Sequence, residues 1–338
     1  MLIPPKYVLT STISHLLSSI EASKAVIDSI SIPPEVETNI RRQSTLKSSL
    51  FSARIEGNNL TLDELPVKSS RDQKRKEVFN ILKALNLIYQ RSARDLNLKD
   101  LLIFHQIVMD GLIDKGDLGK FRTESNAIFN SAGIAIYLPP RTSQIIPQLN
   151  KLINFINNSK EQFIPIKASL AHYIFEKIHP FLDGNGRVGR LLIQAVLIKG
   201  GYGMKGLTSV EEYLDSHRAE YYRSLEDTDR DVTDCLEFML EALSQTTTEA
   251  KNLVLQKQKA EVEDFLLPRR AEILNIIKDH QIINFDILRR RFMSVNERTL
   301  RYDLKKLQDS GFIRKRGTTK GVYYELIKNS TTSPSRTI

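Results

Sequence analysis

Apolar residues recur at helical spacing along most of the chain. Over residues 78–88 they fall at i, i+3 and i+4, the pattern of a helix with one buried face. Similar stripes predict helices over 150–157 and 166–177. Another helix is predicted over about 45–57, because Gly57 and the two asparagines after it accept the left-handed conformation of a helix end. The pattern therefore predicts a mainly α fold.

The segment from Ala127 to Leu138 departs from helical spacing. Five apolar or aromatic residues flank a central Ser-Ala-Gly sequence, and the segment stops at Pro139-Pro140. This pattern favours a short β-hairpin, although an ordinary surface loop fits the periodicity equally well. A single hairpin would leave backbone groups at its edges unpaired.

Residues 269–327 have a pattern of their own. Helices are predicted over 271–278 and 285–292, and a third helix follows with leucines at i, i+4 and i+7. The other face of the third helix carries three basic residues, Arg298, Arg301 and Lys305. Two strands then flank a turn at 317–321. This order of helices and a hairpin resembles a winged helix-turn-helix domain.

The charge of the chain is concentrated in this C-terminal part. Residues 266–338 hold 16 Lys and Arg against 7 Asp and Glu, which accounts for the whole net charge of +9. In a winged helix the third helix enters the DNA major groove while basic side chains meet phosphates. The charge favours DNA contact, but winged helices also serve as protein-interaction or dimerisation modules, so both alternatives stay open.

The composition is that of a globular protein in a reducing compartment. Hydrophobic residues make up 41% of the chain, and Cys235 is the single cysteine, which excludes an internal disulfide. The first residues do not form a signal peptide, and the longest apolar run is too short to cross a bilayer. We therefore expect a cytoplasmic protein without membrane contact.

The stretch from His179 to Arg190 carries the candidate chemistry. Its Gly-rich turn precedes an apolar helical run, so unpaired N–H groups and the helix dipole would favour an anion there. Arg187 and Arg190 lie three residues apart on one helix face and can point at the same polyphosphate. Asp183 is a hard oxygen ligand suited to Mg²⁺, and His179 could act as a base near neutral pH. These residue types indicate a nucleotide or phosphate site.

Together the residues resemble the signature of the Fic family, H-x-F-x-(D/E)-G-N-G-R-x-x-R. All eight specified positions are present, and an accidental match is on the order of 10⁻¹⁰ per starting site. The similarity covers roughly residues 40–245. It implies a Fic-fold helical bundle with a small β-hairpin flap, followed by the winged helix.

The resemblance implies transfer of AMP from ATP to Tyr, Thr or Ser hydroxyls. His179 would be the general base and Asp183 the ligand of Mg²⁺. The phosphates would be bound by the Gly-rich turn and both arginines, that is, by Gly184, Asn185, Gly186, Arg187, Gly189 and Arg190. The protein substrate would be another protein or the chain itself, and a homodimer is compatible with the sequence.

Two further segments resemble parts of the family's site. The 127–138 hairpin, through Ile134, Ile136 and Tyr137, would bind an extended stretch of target backbone. The pair Tyr221-Tyr222 would lie near the adenine. The implied division of the chain is an N-terminal helical region (1–110), a catalytic core (111–245), a helical connector (246–268), the winged helix (269–327) and a disordered tail (328–338).

Residues 52–57 match the family's inhibitory signature, (S/T)-x-x-x-E-(G/N). Ser52 and Glu56 lie four residues apart and share a helix face. In proteins of this kind the glutamate pairs with the second arginine of the motif, here Arg190, and keeps ATP in a pose unfit for attack. A helix end with an exposed glutamate before a capping glycine is the plainer alternative.

Two other functions remain open from the sequence. One is a DNA-binding regulator whose Fic domain senses nucleotide without much turnover. The other is a Fic enzyme that uses another donor or removes AMP. The complete motif favours AMP transfer over both.

Overall fold

The computed structural model describes residues 2–65, 72–91, 94–129, 135–226, 231–257, 266–293, 295–317 and 322–327. The chain divides into two compact units, which are described separately. The expected disordered tail at 328–338 and the tip of the hairpin, including Ile134, lie outside the described residues.

The larger unit is helical apart from one hairpin. Its elements in chain order are α1 (Ser11–Ser29), α2 (Pro34–Ile55), α3 (Gln73–Gln90), α4 (Leu98–Val108), β1 (Ile128–Phe129), β2 (Ala135–Tyr137), α5 (Thr142–Asn158), α6 (Ile164–Ile178), α7 (Asn185–Lys199), α8 (Val210–Ser216), α9 (Arg218–Leu225) and α10 (Thr233–Gln256). The mainly α fold is confirmed.

Helices α6 and α7 form the centre of this unit. They pack against each other, and α3, α4 and α10 cover them. Their inward faces are fully buried, with Phe175, Val188 and Leu192 at 0% exposure. Side chains on two adjacent buried helices can be held in fixed positions. The short loop between α6 and α7 is therefore presented by a rigid pair of helices.

Helix α2 begins earlier than the expected range of 45–57. It starts at Pro34, which occupies the first helical position, where the missing N–H of proline costs no hydrogen bond. It ends as expected: Glu56 is the C-cap, and Gly57 has a φ of +96°. The helix packs on α3 and α8.

The expected connector over 246–268 begins inside a helix of the larger unit. Helix α10 continues without a break to Gln256, and Ala250 and Val254 are buried at 2% and 0% exposure. The helix packs along α1. The apolar stripe of α10 thus runs on for about three turns beyond the predicted boundary at 245.

The hairpin alternative holds for the segment around residues 127–138. Strands β1 and β2 pair antiparallel, with Ile128 opposite Tyr137 and Phe129 opposite Ala135.

Of the described helices in the whole chain, none is long and apolar enough to cross a membrane.

The smaller unit combines three helices with a three-stranded antiparallel sheet. The elements are α11 (Pro268–His280), β3 (Ile282–Asn284), α12 (Phe285–Arg291), α13 (Glu297–Asp309), β4 (Ile313–Arg316) and β5 (Tyr323–Leu326), with strand order β3-β5-β4. Strand β3, which pairs Ile283 with Tyr324, was not expected from the sequence because it is only three residues long. The core of this unit includes Ile277, Leu288, Leu300, Leu304, Leu307 and Ile313.

Candidate active site

The loop between α6 and α7 is closed by its own side chains. Helix α6 ends at His179, which has a φ of +47°, and Gly184 has a φ of +82°. The Asn185 amide accepts from the Phe181 N–H and donates to the Phe181 carbonyl, both at 2.9 Å. The buried Phe181 ring stacks on His105 with centroids 3.9 Å apart. The Asn185 side chain therefore shapes the loop through both its oxygen and its nitrogen.

The glycines of the motif make room for particular side chains. A Cβ on Gly186 would lie 2.4 Å from Oε1 of Glu56, so glycine allows the carboxylate to reach the start of α7. A Cβ on Gly189 would lie 2.1 Å from Oε1 of Glu176 on α6. Gly189 was predicted to bind phosphate. A Cβ at this position would meet buried side chains of α6, so glycine allows α6 and α7 to pack closely here.

Arg190 is held by both residues of the predicted inhibitory signature. Its side chain is 1% exposed. Its Nε donates to the Ser52 hydroxyl at 2.9 Å, and Nη2 donates to the Ser52 carbonyl at 2.9 Å and to Oε1 of Glu56 at 2.7 Å. The ion pair between Glu56 and Arg190 is thus present. Glu56 is therefore not simply an exposed residue at the end of a helix.

Burial and charge act in opposite directions on this ion pair. Burial by itself would raise the pKa of Glu56, but Arg190 and Arg187 lower it below its usual value. Burial disfavours the charged guanidinium of Arg190, yet Glu56 raises its pKa above the usual value. Both groups therefore stay ionised at neutral pH, and Glu56 supplies a full counter-charge.

A second carboxyl group near Arg190 is neutral. Burial raises the pKa of Glu176 to about 8, an effect that Arg190 opposes only in part. Burial lowers the pKa of His172, four residues earlier on α6, to about 3. No pattern in the sequence indicated this buried polar pair, because both residues lie in an ordinary apolar helical stripe.

The imidazole of His179 is neutral and is oriented by the end of α6. Burial lowers its pKa to about 4, and Arg122 adds to the effect, while the Glu176 carbonyl opposes it. Nδ1 lies 3.3 Å from the Glu176 carbonyl oxygen. Because a carbonyl can only accept, the contact fits the tautomer with its proton on Nδ1. Nε2 is then left to accept a proton.

Arg122 fixes the backbone around His179. It is 3% exposed, and its Nε donates to the His179 carbonyl at 2.8 Å. Its other nitrogens donate to the carbonyls of Glu124 at 2.9 Å and Pro140 at 2.6 Å, on either side of the hairpin. Burial lowers the pKa of Arg122. One side chain therefore joins the left-handed backbone of His179 to both ends of the hairpin, a role that no sequence pattern indicated.

Arg187 lies between two carboxylates. Nη2 donates to Oδ1 of Asp183 at 2.8 Å, as the i, i+4 spacing allows, and Nη1 donates to Oε1 of Glu77 on α3 at 2.6 Å. The Asp183 side chain is 58% exposed, whereas that of Glu77 is 12% exposed. Asp183 was predicted from the sequence, but Glu77 was not.

The two tyrosines expected near the adenine occupy different environments. Tyr221 is 1% exposed, and its hydroxyl lies 2.9 Å from Nε2 of His172. Tyr222 is 44% exposed and donates to the carbonyl of Ile55 at 3.1 Å, at the end of α2. The Tyr221 ring is enclosed in the core, 5.3 Å from the ring of Tyr222, and the proximity of both residues to the adenine stays a prediction. Only Tyr222 offers an exposed face.

The described part of the hairpin contacts α6. The Tyr137 hydroxyl donates to the Lys177 carbonyl at 3.0 Å, and the Tyr137 ring lies under the Lys177 ammonium group at 4.5 Å. Ile136 belongs to β2, but only its backbone is described. The contacts of Tyr137 with Lys177 place the end of β2 beside the C-terminal turn of α6, which leads into His179.

In the smaller unit, the three basic residues of α13 lie on its exposed face. Arg298 and Lys305 are exposed. Arg301 donates to Glu297 at 2.7 Å, and its guanidinium lies 4.0 Å from the centroid of the Phe285 ring. Arg301 is therefore already engaged within the unit.

Comparison with known proteins agrees with the geometry of the larger unit. Residues 95–197 match the model of the Fic/DOC family. The chain is 26% identical over 198 residues to a protein adenylyltransferase Fic of Drosophila willistoni, covering 55% of this chain and 38% of that protein. It is 26% identical over 178 residues to a probable protein adenylyltransferase of Aquifex aeolicus, covering 52% and 54%. The chain thus spans about half or less of the length of these relatives.

Solved structures show the same fold. A Fic family protein from Desulfovibrio desulfuricans matches with a TM-score of 0.66 at 23% identity, covering 97% of this chain and 99% of that one. Fic-1 from C. elegans matches with a TM-score of 0.58 at 22% identity, covering 73% and 72%. The chain therefore contains a Fic/DOC-family domain. The match begins at residue 95, sixteen residues before the expected start of the core at 111, because α4 belongs to the same helical bundle.

Proposed function

We propose that the chain is an autoinhibited protein adenylyltransferase. It transfers AMP from ATP to a Tyr, Thr or Ser hydroxyl of a protein and releases pyrophosphate. The observation that carries the proposal is the convergence of a neutral His179, two buried arginines and Glu56 at the start of α7. The relatives named protein adenylyltransferase support the same reaction.

His179 is the base in this proposal. As the target hydroxyl oxygen bonds to the α-phosphorus of ATP, its proton passes to Nε2 of His179. The bond from the α-phosphorus to the oxygen shared with the β-phosphate breaks, and its electron pair leaves with pyrophosphate. Backbone N–H groups of Asn185 and Gly186 stabilise the charge that develops on the α-phosphate oxygens. Arg187 and Arg190 orient the β- and γ-phosphates.

The residues present fit a Mg²⁺ ion that enters together with ATP. Among the described residues there is no cluster of three His, Cys, Asp or Glu that could hold a metal by itself. Mg²⁺ commonly takes one or two carboxylates and completes its shell with phosphates and water. The exposed Asp183 would be the protein ligand, and the ion would neutralise phosphate charge.

Glu56 is the inhibitory residue in this proposal. While it holds Arg190, that guanidinium is withheld from the γ-phosphate. The Glu56 carboxylate also repels the negative phosphates at the same place. ATP then binds in a pose that does not align the α-phosphorus with the attacking hydroxyl.

The hairpin provides the surface for the target. Its two antiparallel strands form a small sheet that an extended segment of another protein could lengthen by β-strand addition. Arg122 ties this sheet to the backbone of His179, so a hydroxyl carried by the bound segment would arrive beside the base. The chain itself is one candidate target.

The donor is tested by intact-mass spectrometry of the full chain carrying Glu56→Gly. Incubation with ATP and Mg²⁺ is expected to add the mass of AMP and to release one pyrophosphate per modification. UTP and CDP-choline serve as comparison donors and are expected to leave the protein unmodified. ATP labelled on the γ-phosphate is expected to leave the protein unlabelled, because that phosphate departs with pyrophosphate. Addition of UMP, phosphocholine or phosphate instead would contradict the AMP-transfer proposal.

A second candidate function concerns the smaller unit, for which we propose a winged helix that binds DNA. The order α11, β3, α12, α13, β4, β5 supports that fold, and the concentration of positive charge supports DNA contact. Fluorescence anisotropy with a random duplex is expected to show binding that weakens steeply between 50 and 200 mM salt, as about 3 or more phosphate contacts require. The variant Arg298→Glu/Lys305→Glu should weaken it strongly. Unchanged affinity in that variant would favour a protein-interaction module.

A further inference from the structure

Arg187 shares its guanidinium between two carboxylates that lie far apart in the sequence. Nη1 bonds to Glu77 on α3 at 2.6 Å and Nη2 bonds to Asp183 at 2.8 Å. Arg187 is 7% exposed and the Glu77 side chain is 12% exposed, so the contact with Glu77 is largely shielded from water, whereas Asp183 faces solvent. The arginine is therefore fixed from two directions before any nucleotide binds.

Glu77 is itself held from its other side. Its Oε2 accepts from Nδ2 of Asn58 at 2.9 Å, and the same Nδ2 donates to the Lys74 carbonyl at 2.8 Å. Oδ1 of Asn58 accepts from the Leu60 N–H at 3.1 Å, which fixes the orientation of the amide. Both oxygens of Glu77 are thus engaged, and its carboxylate cannot turn without breaking a contact.

Arg187 shares its N–H groups between Glu77 and Asp183, and this sharing decides how much of the Asp183 carboxylate remains accessible. A guanidinium prefers to bind a carboxylate with two parallel N–H groups. Here Glu77 holds Nη1, and Nη2 alone donates to Asp183. The buried Nε, which could form the second prong beside Nη2, donates to no described residue, so the hold of Glu77 on Nη1 keeps the guanidinium turned away from two-pronged pairing. The Asp183 carboxylate accepts from Arg187 and from the Gly184 N–H, and both donors bond to Oδ1. No described residue contacts Oδ2 of the largely exposed Asp183 side chain.

We propose that Glu77 is a positioning residue for the transfer reaction: it holds Arg187 back from two-pronged pairing with Asp183, so that Asp183 keeps one oxygen for the divalent cation. The inference rests on the proposed function, in which Asp183 is the protein ligand of Mg²⁺. Without Glu77, Arg187 would turn onto Asp183 and compete with the cation for both oxygens. Glu77 would then matter for metal affinity although it touches neither metal nor nucleotide.

The inference extends to Asn58, which connects Glu77 to the turn that follows the inhibitory residue Glu56. Asn58 follows Glu56 by two residues and directly follows the left-handed Gly57. A displacement of this turn would loosen Glu77 as well as Glu56. The two motif arginines would therefore respond together, Arg190 through Glu56 and Arg187 through Asn58 and Glu77.

The test uses the full chain in the Glu56→Gly background, with Glu77→Gln, Asn58→Ala and, as a matched control, Glu249→Gln, an exposed glutamate of α10. Mn²⁺ binding in the presence of α,β-methylene ATP is followed by electron paramagnetic resonance.

Glu77→Gln keeps the shape of the side chain and the acceptor for Asn58 but removes the charge. Its Mn²⁺ dissociation constant is expected to rise about 10- to 100-fold, the usual effect of losing a residue that orients a metal ligand. Asn58→Ala should raise it by a few-fold, and the control should not change it.

Kinetics provide the second readout. For Glu77→Gln the Mg²⁺ concentration at half-maximal transfer should rise by about the same factor, and saturating Mg²⁺ should restore most of kcat. A lower melting temperature with unchanged Mn²⁺ affinity and Mg²⁺ midpoint would overturn the inference, because the ion pair would then only join α3 to α7. If Glu77→Gln does not fold, unchanged Mn²⁺ affinity in Asn58→Ala overturns it instead. Failure of the proposed function has a different signature: Glu56→Gly would bind Mn²⁺ and nucleotide but transfer no AMP.

Discussion

Replacing Glu56 by glycine is expected to raise AMP transfer by about 10²-fold or more. In the wild type ATP must compete with Glu56 for the buried Arg190. Breaking a buried ion pair costs about 3 kcal/mol or more, and each 1.4 kcal/mol corresponds to about a factor of ten in rate. The substitution should lower the free energy of unfolding, because it leaves the buried Arg190 without this counter-charge. It should keep the end of α2, because Glu56 is the C-cap and not an interior position. The rate of label transfer from ATP, at equal protein concentration, measures the effect.

Glu35→Gln is the matched control for this prediction. Glu35 lies on the same helix, in its exposed first turn, and makes no contact with the motif. Its removal should leave transfer at the wild-type level. Equal rates in wild type and Glu56→Gly, with nucleotide bound in both, would show that the ion pair is structural and not inhibitory.

The second large effect is expected at His179. In the Glu56→Gly background, His179→Ala should reduce transfer by about 10²- to 10⁴-fold, the usual contribution of a general base. The φ of +47° at this position disfavours most side chains, so His179→Asn is the better-tolerated companion, because asparagine accepts the left-handed region. Both variants should lose turnover while ATP affinity stays close to that of the parent. Retention of more than a tenth of the rate in both would exclude His179 as the base.

The pH dependence distinguishes a base with a lowered pKa from an ordinary imidazole. With a pKa of about 4, His179 is neutral at both pH 6 and pH 8. Removing Glu56 takes away a contribution that raises this pKa, so the released variant should be no more protonated. Single-turnover transfer should therefore stay within about twofold between these pH values. An imidazole with the ordinary pKa of about 6.5 would be mostly protonated at pH 6 and would lose about three quarters of its rate.

The local chemistry of the site could be predicted from the sequence because it depends on short spacings. The Gly-rich loop before α7, the i, i+4 relation of Ser52 to Glu56, and the leucine stripe of α13 all follow from residue order. The same holds for the end of α2, where Gly57 takes the expected left-handed conformation. The inhibitory role of Glu56 and the catalytic role of His179 stay predictions.

The partners of these residues could not be predicted because they come from distant parts of the chain. Glu77 meets Arg187 across 110 positions of sequence, and Arg122 meets His179 across 57. A buried arginine or glutamate looks the same in the sequence as an exposed one, and only the packing of α3, α6 and α7 distinguishes them. The same limit explains Tyr221, which the sequence suggested for the adenine and the fold encloses in the core.

The most direct measurement compares three proteins incubated with Mg²⁺ and α-labelled ATP: wild type, Glu56→Gly, and Glu56→Gly/His179→Ala. Label on protein should be faint in wild type, strong in Glu56→Gly and close to background in the double variant. This result would establish AMP transfer, the role of His179 as the base and inhibition by Glu56 in one experiment. Absence of label from all three, with ATP binding retained, would contradict the account.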